Sequence, residues 1–176
     1  MDLLDFEGED LYFDEHLPDE IDTLINLASK NYGTPDAENN LMQAFFLAPD
    51  NLTVLVALYR YYYYQHKYEK ALVVAAHALK FSGHRIGFPE KWEMLTLENI
   101  GSGALISMGM VRFYLLSLKA AGYLNLRLNN FIIAQEMLSK VVELDSSNRL
   151  GANDLLSFAV EQTTDGKVKS IKSSII

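Results

Sequence analysis

The stretch NLTVLVALYRYYYYQHKYEKALVVAAHALK, Asn51 to Lys80, has apolar residues at helical spacing on both sides of a short polar break. The break falls at Gln65 to Lys67, and the part that follows it contains small residues at Ala71, Ala75 and Ala78. Small side chains at helical spacing allow a neighbouring helix to approach closely. The stretch therefore predicts two antiparallel helices joined by a tight turn.

The same pattern occurs in two other parts of the chain. The segment from Leu115 to Asn148 again has two helical stretches with a polar break between them. In the segment from Ile21 to Asn51, the first predicted helix ends at Gly33, and the second begins with Thr34 as N-cap and Pro35 at the first helical position. Three consecutive helix pairs predict an all-α fold.

These three segments resemble the tetratricopeptide repeat (TPR), a helix-turn-helix unit of about 34 residues. The resemblance rests on Tyr68, Ala71 and Ala78 in the central unit, on Gly122, Phe131, Ala134 and the ending VVELDSSN in the last, and on Ala37, Ala44 and the ending LAPDN in the first. It also implies a small residue where Tyr59 stands and a proline where Gly83 and Ser146 stand. Packing of the central repeat is therefore expected to be wider than usual.

The expected architecture is a TPR-like α-solenoid of three repeats plus a capping helix, with an insertion between the second and third repeats. Its parts are an acidic arm at 1–17, a helical domain at 18–162 (repeats at about 18–51, 52–85 and 115–148, insertion 86–114, capping helix 149–162) and a polar and basic tail at 163–176. Insertions in repeat arrays usually loop out on one face, often the binding face. Trp92 in this insertion either covers a packing gap or acts as a lid that contacts a ligand.

Three shorter segments of the insertion region carry their own predictions. PEKWEML predicts a short helix that starts at Pro89, IGSGAL at 100–105 predicts a flexible turn, and the stretch from Ser107 to Leu128 predicts one long helix. After the third repeat, the apolar spacing predicts one more helix that caps the stack.

The TPR resemblance also implies which residues line a concave groove. In the central and third repeats these are Val56, Arg60, Tyr63, Tyr64, Leu116, Lys119, Tyr123 and Arg127, together with Thr53 and Leu126; in the first repeat they are Asp19, Asp22, Asn26, Ser29 and Lys30. Of the tyrosine run, Tyr59, Tyr62 and Tyr68 are expected to pack between helices. Exposed tyrosine beside arginine is typical of protein interfaces, although plain surface aromatic character is the alternative.

Charge and composition argue against several classes of partner. Residues 1 to 20 hold nine of the 23 acidic residues and no Lys or Arg, so the remainder of this chain of net charge -8 is close to neutral. Without a basic stripe, nucleic-acid binding is not expected. No run approaches the length of about 18 apolar residues that spans a bilayer, and the N-terminus lacks a signal-peptide pattern, so a cytoplasmic protein without membrane contact is expected.

No catalytic constellation is predicted. The chain has no cysteine, and the four histidines, His16, His66, His77 and His84, lack the pairing of a metal site on one helix face. The segment GSGAL lacks the lysine and hydroxyl of a phosphate-binding loop, and paired carboxylates occur mainly in the acidic arm, where solvation leaves them unsuited to acid–base catalysis. The sequence therefore predicts no enzyme activity, no cofactor and no metal.

The expected function is a non-enzymatic scaffold, chaperone or adaptor that holds a peptide or helix of another protein in the groove. Small acidic three-repeat proteins resemble the chaperones of secreted translocator proteins. The segments ALYRYYYY and VRFYLLSLKAAGYL resemble a small bacterial repeat family associated with nitrogen-fixation gene clusters. A third alternative is a structural homodimer whose groove is occupied by its neighbour. The acidic arm either covers the first repeat, docks on the groove or remains a free tail.

Overall fold

A computed structural model describes residues 17–173 of the chain, and the side chains of residues 17–164. The predicted acidic arm therefore lies, apart from Leu17, outside the described residues. Within the described range the regular structure is entirely helical. The elements are α1 (Asp19–Lys30), α2 (Pro35–Leu47), α3 (Leu52–Tyr64), α4 (Tyr68–Arg85), a 3₁₀ turn (Trp92–Met94), α5 (Leu97–Arg127), α6 (Phe131–Leu144) and α7 (Asn153–Ser173).

Three tight turns of the same kind join the predicted helix pairs. Gly33, His66 and Asn129 have φ angles of 88°, 56° and 61°, and each lies two residues before the second helix of its pair. Glycine adopts this left-handed conformation without steric cost, and asparagine and histidine occupy it more often than most other residues. Pro35 begins α2 directly after the N-cap position of Thr34, as predicted. The three hairpins expected from the sequence are therefore confirmed.

The small residues of these hairpins are buried where helices meet. Ala71 and Ala78 of α4 lie 34 residues after Ala37 and Ala44 of α2, and all four are buried, as is Ala134 of α6. Each helix packs mainly on the helices that precede and follow it in the sequence. A methyl side chain at these contacts lets helix axes come close together, which is the physical reason for the spacing seen in the sequence.

The insertion at 86–114 contributes to the core and does not loop out on one face, as insertions in repeat arrays usually do. Phe88 and Phe113 are buried within the main core, and the ring of Phe88 meets Tyr114 edge to face with centroids 4.9 Å apart. A Cβ atom on Gly83 would lie 2.8 Å from the Tyr114 ring. Close approach of this ring explains why glycine stands where the resemblance implies proline.

Local structure in the insertion also differs from two of its three predictions. The predicted helix from Pro89 is only a 3₁₀ turn, Trp92–Met94, and the predicted turn at 100–105 lies inside α5. A capping box initiates α5, because the Thr96 hydroxyl accepts a hydrogen bond from the Asn99 amide while the Asn99 side chain accepts from the Thr96 amide. This reciprocal cap outweighs the glycines that made the segment resemble a turn.

α5 consists of two helical segments that meet at a kink at Ser107. Ser107 has φ −161° and ψ 109°, and its hydroxyl accepts a hydrogen bond from the amide of Met110 at 3.2 Å. It therefore acts as the N-cap of the second segment. The prediction that a long helix starts at Ser107 is correct for that segment, which ends at Arg127.

The capping helix is longer than predicted. α7 extends from Asn153 to Ser173, whereas the sequence predicted a helix at 149–162 followed by a tail at 163–176. Ala159 is buried against Leu126 and Leu138, so α7 covers the end of the third hairpin, as expected for a capping helix.

The apolar character of α5 exceeds the expectation from the sequence. Of the described helices, α5 is long and apolar enough to cross a membrane by length and composition, and 56% of its most apolar window is buried inside the protein. Burial of this kind is also found in the core helix of a soluble protein. The structure is therefore consistent with a soluble protein.

Candidate functional site

Four tyrosines and one arginine from three helices form a surface that we call the tyrosine–arginine cluster: Tyr63, Tyr64, Tyr68, Tyr123 and Arg127. The ring centroid of Tyr63 lies 5.2 Å from that of Tyr64, 6.4 Å from that of Tyr68 and 6.0 Å from that of Tyr123. These spacings fall within the range of favourable aromatic pairs. The end of α3, the start of α4 and the end of α5 thus present one continuous aromatic surface.

Arg127 supplies the positive charge of the cluster. Its guanidinium carbon lies 4.5 Å from the ring centroid of Tyr68, and its Nη1 donates a hydrogen bond to the Tyr123 hydroxyl at 3.0 Å. The hydrogen bond to Tyr123 raises the pKa of Arg127, so the group stays charged at any physiological pH. Within the described part of the chain, the guanidinium of Arg127 contacts the rings of Tyr68 and Tyr123 and lies near Tyr63.

The pKa values of the Tyr63 and Tyr123 hydroxyls shift in opposite directions. Burial, together with a hydrogen bond to Tyr123, raises the pKa of Tyr63. Burial also acts to raise the pKa of Tyr123, but hydrogen bonds with Tyr63 and Arg127 lower it overall. These opposite shifts are those expected when Tyr63 donates to Tyr123 and Arg127 donates to the same oxygen.

The cluster is accessible from solvent. Tyr64 is 47% exposed and Arg127 is exposed, while Tyr63, Tyr68 and Tyr123 are partly buried. Partly buried rings with an exposed edge are rigid, and they lose little conformational freedom when a partner covers them. The cluster therefore has the chemistry and accessibility of a binding surface.

Several residues that were predicted to line the groove are buried. Val56 and Leu116 are only 5% and 3% exposed and belong to the main core, so their assignment to the groove is wrong; Leu126 is buried as well. Lys119 is partly buried, and its ammonium donates to the backbone carbonyl of Leu150, which anchors the connection that precedes α7.

The other predicted groove residues remain at the surface. Arg60 is partly buried, whereas Thr53 and the five positions predicted in α1, Asp19, Asp22, Asn26, Ser29 and Lys30, are all exposed. Among these, the amide of Asn26 donates to the Asp22 carboxylate at 2.9 Å. They lie outside the tyrosine–arginine cluster as defined by its ring contacts.

Tyr68 is the cluster member that sequence reasoning placed elsewhere. It was expected to pack between helices, as Tyr59 and Tyr62 do, and those two residues are buried. Tyr68 is instead only partly buried, and the guanidinium of Arg127 stacks on one face of its ring. Its position at the first residue of α4, directly after a tight turn from α3, was the available signal. A residue there must lie close to the last turn of α3.

A second polar arrangement lies beside the tyrosine run, and the sequence analysis did not predict it. Glu38 of α2 accepts hydrogen bonds from the ammonium groups of Lys67 and Lys70 at 2.5 and 2.6 Å and from the Tyr62 hydroxyl at 3.2 Å. Bonds from Lys67 and Lys70 lower the pKa of Glu38 from 4.5 to about 2. Burial and the negative charge of Glu38 raise the pKa of Tyr62 to about 12. This network joins the first hairpin to the second.

The network predicts a pH dependence of stability. Because the folded-state pKa of Glu38 lies below its unfolded value, its contribution is present above about pH 4.5 and is lost as the pH falls towards 2. The effect should be on the order of 1 kcal/mol, since the side chains of Lys67 and Lys70 are 37% and 56% exposed and water screens their attraction to Glu38. Urea denaturation at pH 7 and pH 3 should show Glu38→Gln losing less stability on acidification than the unsubstituted protein. Glu69→Gln, at an exposed site in α4, is the matched control; an unchanged pH response in Glu38→Gln would contradict the prediction.

A cavity of about 530 Å³ lies between α4, α5, α6 and the segment that carries Trp92. Its lining is mostly apolar and includes Leu72, Ala76, Phe88, Trp92, Tyr114 and Met137. Trp92 is partly buried against the main core, as expected if it covers a gap between helices. Its alternative role as a lid over a ligand stays a prediction.

Histidines and carboxylates do not converge in the part of the chain that the structure describes. No group of three or more His, Asp or Glu side chains could hold a metal ion there. A ring nitrogen of His66 is hydrogen-bonded to the Tyr68 hydroxyl at 2.8 Å, and one of His77 to the Pro49 carbonyl at 3.0 Å. His16 lies outside the described residues.

Comparisons with known proteins give one informative relative. No family model matches the chain, and no solved structure matches it. The chain is 46% identical over 165 residues, 94% of its own length and 92% of the relative's, to a protein of Azotobacter chroococcum mcd 1 described as "Uncharacterized 19.8 kDa protein in nifW 5'region". Identity at this level over nearly the whole of both chains shows that the chain belongs to the same family as this 19.8 kDa protein of the nifW 5' region.

Proposed function

We propose that this protein is a non-enzymatic, cytoplasmic scaffold of the tetratricopeptide type that binds a peptide or helix of a partner protein. The observation that carries the proposal is the tyrosine–arginine cluster, in which a charged guanidinium lies among accessible rings from three helices. Tyrosine and arginine are enriched among the residues that dominate binding energy at protein interfaces. Among the described residues, no group of three or more His, Asp or Glu side chains could hold a metal ion.

Equivalent positions in successive hairpins support the repeat assignment. The buried alanines of α2 and α4 share a spacing of 34 residues, and left-handed turn residues occupy the same place in all three hairpins. Two of the turns also share a backbone hydrogen bond, from the amide of Lys67 to the carbonyl of Tyr62 and from the amide of Asn130 to the carbonyl of Asn125. In a repeat array, equivalent positions of successive units share the same burial, turn conformation and hydrogen bonds.

The cluster favours a partner segment that combines acidic and apolar side chains. Tyrosine rings offer rigid apolar area with a polar edge, and an arginine fork binds a carboxylate with good geometry. Arg127 already stacks on Tyr68, which orients its guanidinium before a partner arrives. Orientation in advance reduces the entropy lost on binding.

The relative in the nifW 5' region suggests where to look for the partner. We propose that the protein acts as an adaptor or chaperone in the assembly of a bacterial complex linked to nitrogen fixation. The first candidates for a direct binding partner are the products of the genes beside that of the relative, beginning with the nifW product.

Binding can be measured by isothermal titration of the purified full chain with each candidate. Arg127→Ala is expected to weaken binding about 30-fold, which corresponds to about 2 kcal/mol, and Tyr123→Ala by a similar factor. Arg127 is exposed, so Arg127→Ala should leave helicity and melting temperature nearly unchanged.

Phe46→Ala is the matched control, because Phe46 is 85% exposed on α2 and lies outside the cluster. It should bind like the unsubstituted protein. Arg127→Lys keeps the charge but loses the planar fork, and it is expected to bind with intermediate affinity. Full binding by Arg127→Ala and Tyr123→Ala would show that the partner uses another surface.

A further inference from the structure

Partly buried residues of α3 and of the second segment of α5 form one basic and aromatic surface, which we call the α3–α5 face: Arg60, Tyr63, Arg112, Lys119 and Tyr123. Among residues 111–126 of α5, all are buried except Arg112, Lys119 and Tyr123. Their spacing of seven and four residues places them on one side of the helix. On α3, Tyr63 lies one turn after Arg60, and its ring centroid is 6.0 Å from that of Tyr123. The face therefore extends the tyrosine–arginine cluster towards the beginning of both helices.

Positive charge is in local excess on this face. α3 and residues 107–127 of α5 together contain four basic residues and no Asp or Glu, although the chain outside residues 1–20 is close to neutral. Beside Lys119, the carboxylate of Asp145 accepts hydrogen bonds from the backbone amides of Arg149 and Leu150. The helices on either side carry exposed acidic residues, which are Asp19 and Asp22 in α1 and Asp154 and Glu161 in α7. Acidic residues thus border the face, and none belongs to the two helical segments that form it.

Residues 1–16 of the acidic arm have the complementary composition. They contain seven acidic residues, no Lys or Arg, and six large apolar residues, which are Leu3, Leu4, Phe6, Leu11, Tyr12 and Phe13. Charge attraction at a surface is screened by salt, so an acidic segment binds firmly only if it also makes apolar contacts. The rings of Tyr63 and Tyr123 offer such contacts beside the basic side chains. The arm therefore combines the two kinds of side chain that the face is suited to bind.

The described chain begins close to the α3 side of this face. Leu17 packs on the apolar cluster that contains Val54, in the first turn of α3. Arg60 lies six residues after Val54, roughly 9 Å along the helix. Sixteen residues of extended chain span up to about 50 Å. Residues 1–16 are therefore long enough to reach from Leu17 across α3 to the basic residues of α5.

We propose that residues 1–16 dock on the α3–α5 face of their own chain. Acidic residues of the arm pair with Arg60, Arg112 and Lys119, and its apolar side chains pack on the rings of Tyr63 and Tyr123. The Lys119 ammonium donates one hydrogen bond to the Leu150 carbonyl and has further protons to donate to a carboxylate. The covalent connection holds the arm at an effective concentration of about 1 mM. An intrinsic dissociation constant on the order of 100 μM then gives about ten docked arms for each undocked one.

Docking has a consequence for partner binding, because Tyr63 and Tyr123 belong to both the α3–α5 face and the tyrosine–arginine cluster. A partner segment that binds the cluster must displace the arm, which lowers its apparent affinity about tenfold. The arm thus acts as a tethered competitor. This consequence rests on the proposed function, whereas docking of the arm does not.

The position of the arm can be mapped with a single nitroxide label, because the chain has no cysteine. Gly8→Cys places a thiol in the arm and keeps all seven acidic residues. A nitroxide attached there should broaden the amide NMR signals of α3 and of residues 107–127, and leave sharp the signal of Ser139, which is exposed on α6. Broadening confined to the beginning of α1 would overturn the proposal. So would equal broadening in an isotope-labelled chain without nitroxide that is mixed with the labelled protein, since it would show docking on a second copy.

The role of charge is tested by removing two positive charges from the face. Arg60→Gln combined with Arg112→Gln should at least halve the broadening in α3 and α5. Lys80→Gln combined with Lys91→Gln is the matched control, since both lysines are exposed outside the face, and it should leave the broadening unchanged. Raising NaCl from about 50 to about 500 mM should weaken docking of the unsubstituted arm without any change in the fold. Broadening that resists both salt and the arginine substitutions would overturn docking through charge.

A synthetic peptide of residues 1–16 provides a probe that needs no partner protein. The full chain with all seven acidic residues of the arm replaced by Asn or Gln should bind this peptide about tenfold more tightly than the unsubstituted chain, because the tethered competitor is lost. Equal affinities would show that the arm does not occupy the face and would overturn the proposal. Because neither this titration nor the nitroxide experiment uses a partner protein, a failure of docking is distinguishable from a failure of the proposed partner binding.

Discussion

Phe113→Ala should lower the free energy of unfolding by about 3 to 5 kcal/mol, the range expected when a large aromatic side chain is removed from a packed core. Phe113 has no exposed surface and lies in the main hydrophobic core, although it belongs to the insertion at 86–114. The loss includes both the buried apolar area and the cavity left behind. Urea denaturation followed by circular dichroism at 222 nm measures it directly.

Phe46→Ala is the control for this substitution, because it removes the same side chain from a site that is 85% exposed. Its effect should stay within about 0.5 kcal/mol. If Phe113→Ala were equally mild, the result would contradict the placement of this part of the insertion in the core.

The helical hairpins could be predicted from the sequence because their signals are local. Within each repeat of about 34 residues, the apolar residues at helical spacing, the small residue of the second helix (Ala71 in the central repeat, Ala134 in the third) and the polar break at the turn lie close together in the sequence. Each signal reflects a contact between helices that are adjacent in the chain. For the same reason Pro35 marked the start of α2 correctly.

The insertion could not be predicted in the same way, because its conformation depends on distant contacts. Gly103 suggested a turn, yet a Cβ atom there would lie 2.5 Å from the Phe88 ring, so the glycine makes room for a neighbour within a helix. Gly83 similarly makes room for Tyr114. A single sequence does not distinguish a glycine required by backbone conformation from one required by close packing.

The candidate site was predicted in part. Tyr63, Tyr64, Tyr123 and Arg127 do meet at one surface, since they lie near the ends of α3 and α5. Other groove positions were wrong because the helices are more enclosed than the resemblance implied. Val56 lies in a part of α3 enclosed by its neighbours, and Leu116 lies in a run of six buried residues in α5.

Ala134→Leu is expected to destabilise the protein by about 3 kcal/mol, at the upper end of the range for overpacking a core. Ala134 is completely buried in the cluster that joins α5, α6 and α7. Nearby, a Cβ atom on Gly122 would already lie 2.9 Å from Leu138, so the contact between α5 and α6 leaves no space for three additional carbon atoms. Ala71→Leu, at the corresponding place in α4, should cost a similar amount.

Ala76→Leu makes the same chemical change on α4 at an exposed site beside the cavity. It should be neutral or slightly stabilising, because the added carbons can enter open space. Urea denaturation of all three variants compares the two repeat positions with this control. Loss of stability in Ala71→Leu alone would show that the third hairpin packs differently from the second. Unchanged stability in both Ala71→Leu and Ala134→Leu would contradict close helix packing at these positions and would remove the main physical argument for a repeat array.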